Sequence, residues 1–362
     1  MDEIHKLAIE EGFRSGKING KKQGPLAFKH VMEMLPLYPV KNLKQVSNYV
    51  SKERLKKDPL ITESVDEKRV AEFISRIQAD WKNKFGFDEL LVKRLRLPDI
   101  IKHPDDPSKR MAATVIVVAS ADRLAMLEHA KVWFTDGTQG ISGRGHHVLS
   151  ISIIDSKASI YPIGYMISPG ETIRLIQNFL ILIAETFMES FPGRELHVRI
   201  VMADGLPGLT IAIKGMMYHF KDTNLFVASE ILRFMCNVHM WRNVLGKYGI
   251  KTSGVCSLVY QLVTLLSSSP NEFMVISLFI SIAKLFFEIE KIQPAFKGSQ
   301  VVFYLLNAYI LHKETGNFYS GAAQEKVGGL ANLLCRLSNN TSESENNIIK
   351  GTLGFMHEFE CL

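Results

Sequence analysis

From residue 111 to about residue 228 the chain keeps to one pattern: short apolar runs alternate with amphipathic helical stretches. Ala112 to Ser120 and Lys131 to Thr135 have strand character. His147 to Ile154, a turn over Asp155 to Ala158, and Ser159 to Ile167 read as an antiparallel hairpin, which Pro169 and Gly170 end. Glu171 to Ser190 then sets Ile173, Ile176, Leu180, Ile183, Ala184 and Phe187 on one helical stripe, and Pro192 and Gly193 break it. His197 to Ala203 is a further strand, Leu209 to Phe220 a helix, and Asn224 to Ala228 a last strand. A hairpin needs only a tight turn, whereas parallel strands need crossover helices. A chain with both must build a mixed α/β sheet.

The flanks read differently. Residues 1–110 are expected to be mostly helical, broken by Gly16, Gly20, Gly24, Pro25, Pro36 and Pro39. Val70, Phe73, Ile74 and Ile77 recur at helical spacing. His103 to Ser108, with Pro104 and Pro107, reads as a linker. Beyond Ser257 the pattern is helical to about Tyr319. A final helix is expected near Thr341 or Ser342, where a hydroxyl can cap it and Glu343 suits the first turn. The order fits an α/β fold: an RNase H-like mixed sheet with an all-helical insertion, preceded by a mostly helical amino-terminal region. The expected division is a basic helical region at 1–110, the first part of the core at 111–250, the insertion at 251–335, and the last core helix at 336–362.

With 362 residues, 46% of them apolar and 22% charged, the chain can bury a core without staples and is neither a disordered tail nor a disulfide scaffold. Its charge is uneven. Residues 1–110 carry 23 basic and 17 acidic side chains, and the remaining residues carry 20 of each. A basic region ahead of a neutral body suits a polyanion, although interspersed acids also fit a solvated helical surface. Four cysteines without a paired framework indicate a reducing compartment. Met1 to Phe13 has no apolar leader region. Phe273 to Phe287, interrupted by Lys284, is too short to span a membrane and reads as a buried helix.

Two acids stand at matching places. Asp136 ends KVWFTD and Asp204 ends HVRIVMAD, and each is followed by glycine. Singly, each is a polar stop to an apolar run. Together, on neighbouring strands, they would converge as hard oxygen ligands suited to Mg²⁺. Cys236 and His239 form a C-x-x-H, which supplies two zinc ligands where a structural site needs four; a buried thiol beside a hydrogen-bonded histidine is the simpler reading. By composition, Ser338 to Lys350 is a polar loop that opens a helix.

Four segments together carry a resemblance: FTDGT around Asp136; YPIGYMISPGET at 161–172; VMADGLPGLTIAI at 201–213 with CNVHMWRNV at 236–244; and SNNTSESENNIIK at 338–350. The chain resembles the transposases of Mutator-like elements, a branch of the DDE transposases. The likeness covers about residues 130–355, with the Asp204 block and its C-x-x-H the most specific part. The family sets its C-x-x-H about thirty residues after the second Asp, and here 32 residues separate Asp204 from Cys236. Glu343 matches the family's catalytic Glu by register. The chain departs from many members in lacking an amino-terminal zinc module and a carboxy-terminal zinc knuckle, and Ser338 stands at the first position of the T-N-N segment.

The resemblance implies a metal-dependent polynucleotidyl transferase. Asp136, Asp204 and Glu343 would hold two Mg²⁺ (or Mn²⁺) ions for strand cleavage and 3′-OH strand transfer. Cys236 and His239 would be a family-associated pair with its role open: ordering the region after the second Asp, sharing in a metal site, or, for His239, donating a hydrogen bond to a ligand; zinc is only weakly indicated. The partners implied are double-stranded DNA, as element ends and target, and further copies of the chain on that DNA. The implied location is the nucleus, with no membrane. DNA contact is expected from Lys and Arg of residues 1–110 and from Arg242 and Lys247. The rival readings are a catalytically inactive, domesticated DNA-binding descendant, and a nuclease that cuts without joining.

Overall fold

The structure, a computed structural model, describes residues 2–18, 23–36, 42–56, 67–86, 89–102, 106, 108–138, 147–154, 160–203, 208–236, 240, 244, 253–311 and 318–331. Three helices open the chain: α1 (Glu3–Arg14), α2 (Gln23–Met34) and α3 (Leu43–Lys56). They bury Ile9, Ala27, Val31, Val46 and Val50 in a core of their own. The next helix, α4 (Glu67–Phe85), lays Ile74 and Ile77 against the sheet residues Val92, Ile116 and Val148, as the helical spacing predicts.

Strand β1 (Leu90–Lys102) then pairs antiparallel with β2 (Arg110–Ser120), from Leu90 opposite Ser120 to Lys102 opposite Arg110. This corrects two expectations. A thirteen-residue strand lies inside the stretch read as helical, and the proline-containing stretch read as a linker joins two paired strands. The cause is the long-range partner. The adjacent Lys93 and Arg94 and the internal Pro98 hide the strand in the sequence, yet pairing with the β-branched run of β2 fixes its backbone.

The central sheet continues through β3 (Val132–Thr138), β4 (His147–Ile154) and β5 (Ile160–Ser168), an antiparallel meander. Helix α5 (Ala121–Ala125) precedes it. Helix α6 (Ile173–Ser190) crosses to β6 (Ile200–Ala203), which lies parallel to β3. Helix α7 (Leu209–His219) crosses to β7 (Leu232–Met235), parallel to β6. Thr172 caps α6: its Oγ1 accepts the Leu175 N–H at 3.2 Å. The sheet order is β1-β2-β5-β4-β3-β6-β7. The last strand thus lies at 232–235, not at 224–228, where Phe226 makes only an isolated bridge with Leu196. Phe234 and Met235 decide the matter, because both are buried when Leu232–Met235 lies against β6.

The two faces of the sheet have separate cores. Odd positions such as Trp133, Leu149, Ile151 and Val201 pack under α6 with Phe179 and Ile183. Even positions Val132, Phe134, Ile200, Met202 and Phe234 pack under the last described helix. The helical region comprises α8 (Ser253–Ser267), α9 (Glu272–Ile292), α10 (Gly298–Leu305) and α11 (Ser320–Val327). Its core gathers Val259, Val263, Val275, Phe279, Ile282 and Phe286, whereas α11 lays Ala323 and Val327 on the sheet beside Phe134 and Met202. The stretch 273–287 is amphipathic rather than buried. Val275, Phe279, Ile282 and Phe286 form one inward stripe, but Phe273 is 75% exposed and Ile280 and Phe287 are also exposed. Among the described residues, no helix is long and apolar enough to cross a membrane.

Candidate active site

Asp136 is the fifth residue of β3, between β4 on one side and β6 on the other. It is buried, 6% exposed. The Gly137 N–H donates to Asp136 Oδ1 at 3.1 Å, and Ser150 Oγ donates to the Asp136 carbonyl at 3.3 Å. Strand alternation sets the direction of the side chain. Val132 and Phe134 face α11, so Asp136 shares their face, while Gly137 shares the α6 face with Trp133.

This position has a topological meaning. From β3 the chain goes to β4 and β5 on one side, then returns through α6 to β6 on the other. In open α/β sheets, such a reversal leaves a crevice at the carboxyl ends of the strands where ligands bind. Thr135, just before Asp136, pairs with Ala203, just before Asp204. Ala203 pairs in turn with Met235, and the Cys236 N–H donates to the Ala203 carbonyl at 2.8 Å. The strand ends that lead into the Asp136, Asp204 and C-x-x-H segments are therefore side by side.

Cys236 is fully buried and in no disulfide, among Phe134, Met202 and Phe234. Its carbonyl accepts the Met240 N–H at 3.1 Å. Asp204, His239 and Glu343 lie outside the described residues, as do Arg242 and Lys247. Among the described residues, no group of three His, Cys, Asp or Glu side chains could hold a metal ion.

A second carboxylate, which sequence reasoning assigned no role, lies on the other side of β3. Glu171 follows Pro169 and Gly170 at the start of α6. Its Oε1 is 2.6 Å from where a Cβ on Gly137 would stand, and 3.1 Å from His147 Nδ1 at the start of β4. Both side chains are largely enclosed. The available signal was a lone acid between a strand stop and a helix cap, inside one of the four resembling segments.

Glu171 also lines an open cavity of about 580 Å³ with Asp99, Ile100, Arg110, Arg174 and Gly208. One wall is an irregularity in β1. The register shifts between Leu97 and Ile101, Asp99 has a left-handed φ of 53°, and Arg174 Nη1 donates to the Pro98 carbonyl at 3.3 Å. This cavity lies at the same end of the sheet as Asp136. Other basic residues of β1 are tied to the fold: Lys93 pairs with Glu189, and Arg96 donates to Thr114 Oγ1 at 3.1 Å.

No protein-family model matches the chain, and no curated protein matches it. The class defined by the structure itself is a mixed α/β protein with a seven-stranded sheet whose strand order reverses at β3.

Proposed function

We propose that the chain is a DDE-type DNA transposase of the Mutator-like kind, built on an RNase H-like core, which cuts a DNA strand and joins the freed 3′-OH to a target phosphate. The observation that carries this reading is the side-by-side register of Thr135, Ala203 and Met235, with Cys236 bonded to Ala203. Two segments that carry the resemblance, the one around Asp136 and the one that joins the Asp204 block to its C-x-x-H, have their described ends side by side at one switch point. Ile200 and Met202 of β6 share the face of Asp136. Antiparallel meander, parallel strands and crossover helices also support the RNase H-like reading.

The donor set fits a hard divalent cation, because Asp136, Asp204 and Glu343 offer only carboxylate oxygens. Those three residues would hold two Mg²⁺ ions, which supply activation of the attacking oxygen and charge stabilisation of the leaving one. The protein's own task is to orient. Pairing on both sides of β3 and the Gly137 N–H hold the Asp136 carboxylate in place, so little reorganisation is needed when charge develops. Cys236, at the end of β7, is sealed in an apolar cluster.

The test is incubation of the full chain with Mg²⁺ or Mn²⁺, a supercoiled plasmid and a duplex bearing free 3′-OH ends. Metal-dependent nicking and joined products are expected, and both should vanish in Asp136→Asn. Nicking without joining would favour a nuclease. If a folded, DNA-binding chain yields neither product, the catalytic reading fails and the non-catalytic descendant replaces it.

A further inference from the structure

The excess positive charge of the chain has an address. Residues 1–56, which span α1 to α3, hold eleven Lys and Arg against six Asp and Glu, a net of +5 out of +6 for the whole protein. Within this unit α3 is divided sharply. Val46 and Val50 enter the three-helix core, and the Tyr49 hydroxyl donates to Glu10 of α1 at 2.9 Å. Lys44, Gln45, Asn48, Ser51 and Lys52 are all exposed. At 100° per residue they fall in one arc of about 120° opposite the core. Over residues 44–52 that arc holds neither an acid nor an apolar side chain. Lys44, Gln45, Asn48 and Lys52 have no side-chain partner among the described residues.

We propose that α3 reads the major groove of double-stranded DNA with this face. The groove, about 12 Å wide, admits one helix, and the residue types match what it displays. Asn and Gln present the paired donor and acceptor that match adenine N6 and N7, and Lys serves guanine or the flanking phosphates. The same face is ill suited to a protein partner, because interface cores are depleted in lysine. It is ill suited to duplex RNA, whose deep, narrow major groove excludes a helix. The inference goes beyond the strand-transfer reading and does not depend on it, because the three-helix unit has its own core and lies outside the resembling segments.

The test uses the full chain with a fluorescein-labelled DNA duplex across a salt series, plus selection from a randomised duplex pool. Wild-type protein should bind the duplex with steep salt dependence. Lys44→Ala and Lys52→Ala should each lower the salt slope by about one. Gln45→Ala and Asn48→Ala should each lose about fivefold to a hundredfold of the base preference recovered by selection, with a smaller change in overall affinity. Circular dichroism checks that these exposed substitutions leave the helices intact. Wild-type protein that does not bind the duplex, a folded Lys44→Ala/Lys52→Ala double variant that binds as wild type does, or equal competition by a hairpin RNA would each overturn the proposal. A chain that binds through α3 yet yields no metal-dependent product upholds this inference and refutes the catalytic reading, so the two fail separately.

Discussion

The carboxylate of Glu171 fills the space where a side chain on Gly137 would project: Oε1 is 2.6 Å from that position, and His147 Nδ1 holds the same oxygen at 3.1 Å. A side chain on the glycine after Asp136 would have to push the Glu171 carboxylate away from His147, and the constraint is one of packing, because the glycine's φ is not in the left-handed region. Gly137→Ala should destabilise the protein by about 1–3 kcal/mol through overpacking. Adding Glu171→Ala should recover part of that cost. Denaturant unfolding of the two single variants and the double variant measures the coupling, and strictly additive losses would contradict the contact.

Asp136→Asn keeps the shape of a buried side chain and removes its charge. It should leave the unfolding midpoint close to wild type while metal-dependent strand cleavage falls at least about 10²-fold. Loss of activity together with loss of helical circular dichroism would point to a structural role instead.

The core of the helical region and its outer face should respond very differently. Phe286→Ala, at a fully buried position against Phe296, should cost about 3–5 kcal/mol. Phe273→Ala, on the same helix α9 but largely exposed, should stay within about 0.5 kcal/mol of wild type. Equal effects on thermal unfolding would mean that the inward stripe is misassigned.

Tyr49 gives the three-helix unit an alkaline limit. Burial first, then the Glu10 carboxylate that accepts its hydroxyl hydrogen, push its pKa well above the ordinary tyrosine range. A pKa raised in the folded state means that the unfolded chain releases the proton first. The contribution is therefore complete below about pH 10, the ordinary value, and is lost as pH rises above it. Thermal unfolding of wild type and Tyr49→Phe should differ by less at pH 11 than at pH 8. A constant difference would show that the hydroxyl is not linked to folding.

Much of the core was legible in local pattern. The hairpin of β4 and β5, the stripe of α6 and the apolar run of β3 are each set by neighbours along the chain, and each appears within a few residues of its expected place. β1 was illegible because the adjacent Lys93 and Arg94 break its alternation and Pro98 interrupts it, and the partner that fixes it is supplied by the sheet. β7 was displaced because four residues carry too little pattern until β6 stands beside them. The acids Asp136 and Asp204 stand out in the sequence as strand-ending carboxylates. Glu171 did not, because its role arises from a contact with a glycine 34 positions away.

The sequence by itself determined where apolar periodicity changes from two to three or four residues, which acids close apolar runs, and where positive charge accumulates. These are properties of neighbouring residues, and the chain displays them before it folds. Only the tertiary structure decided that β3 lies between β4 and β6, that Glu171 closes over Gly137, and that one face of α3 is left to solvent. Each of these depends on which distant surfaces exclude water together, a choice made by packing across the sheet and not by any single stretch of chain.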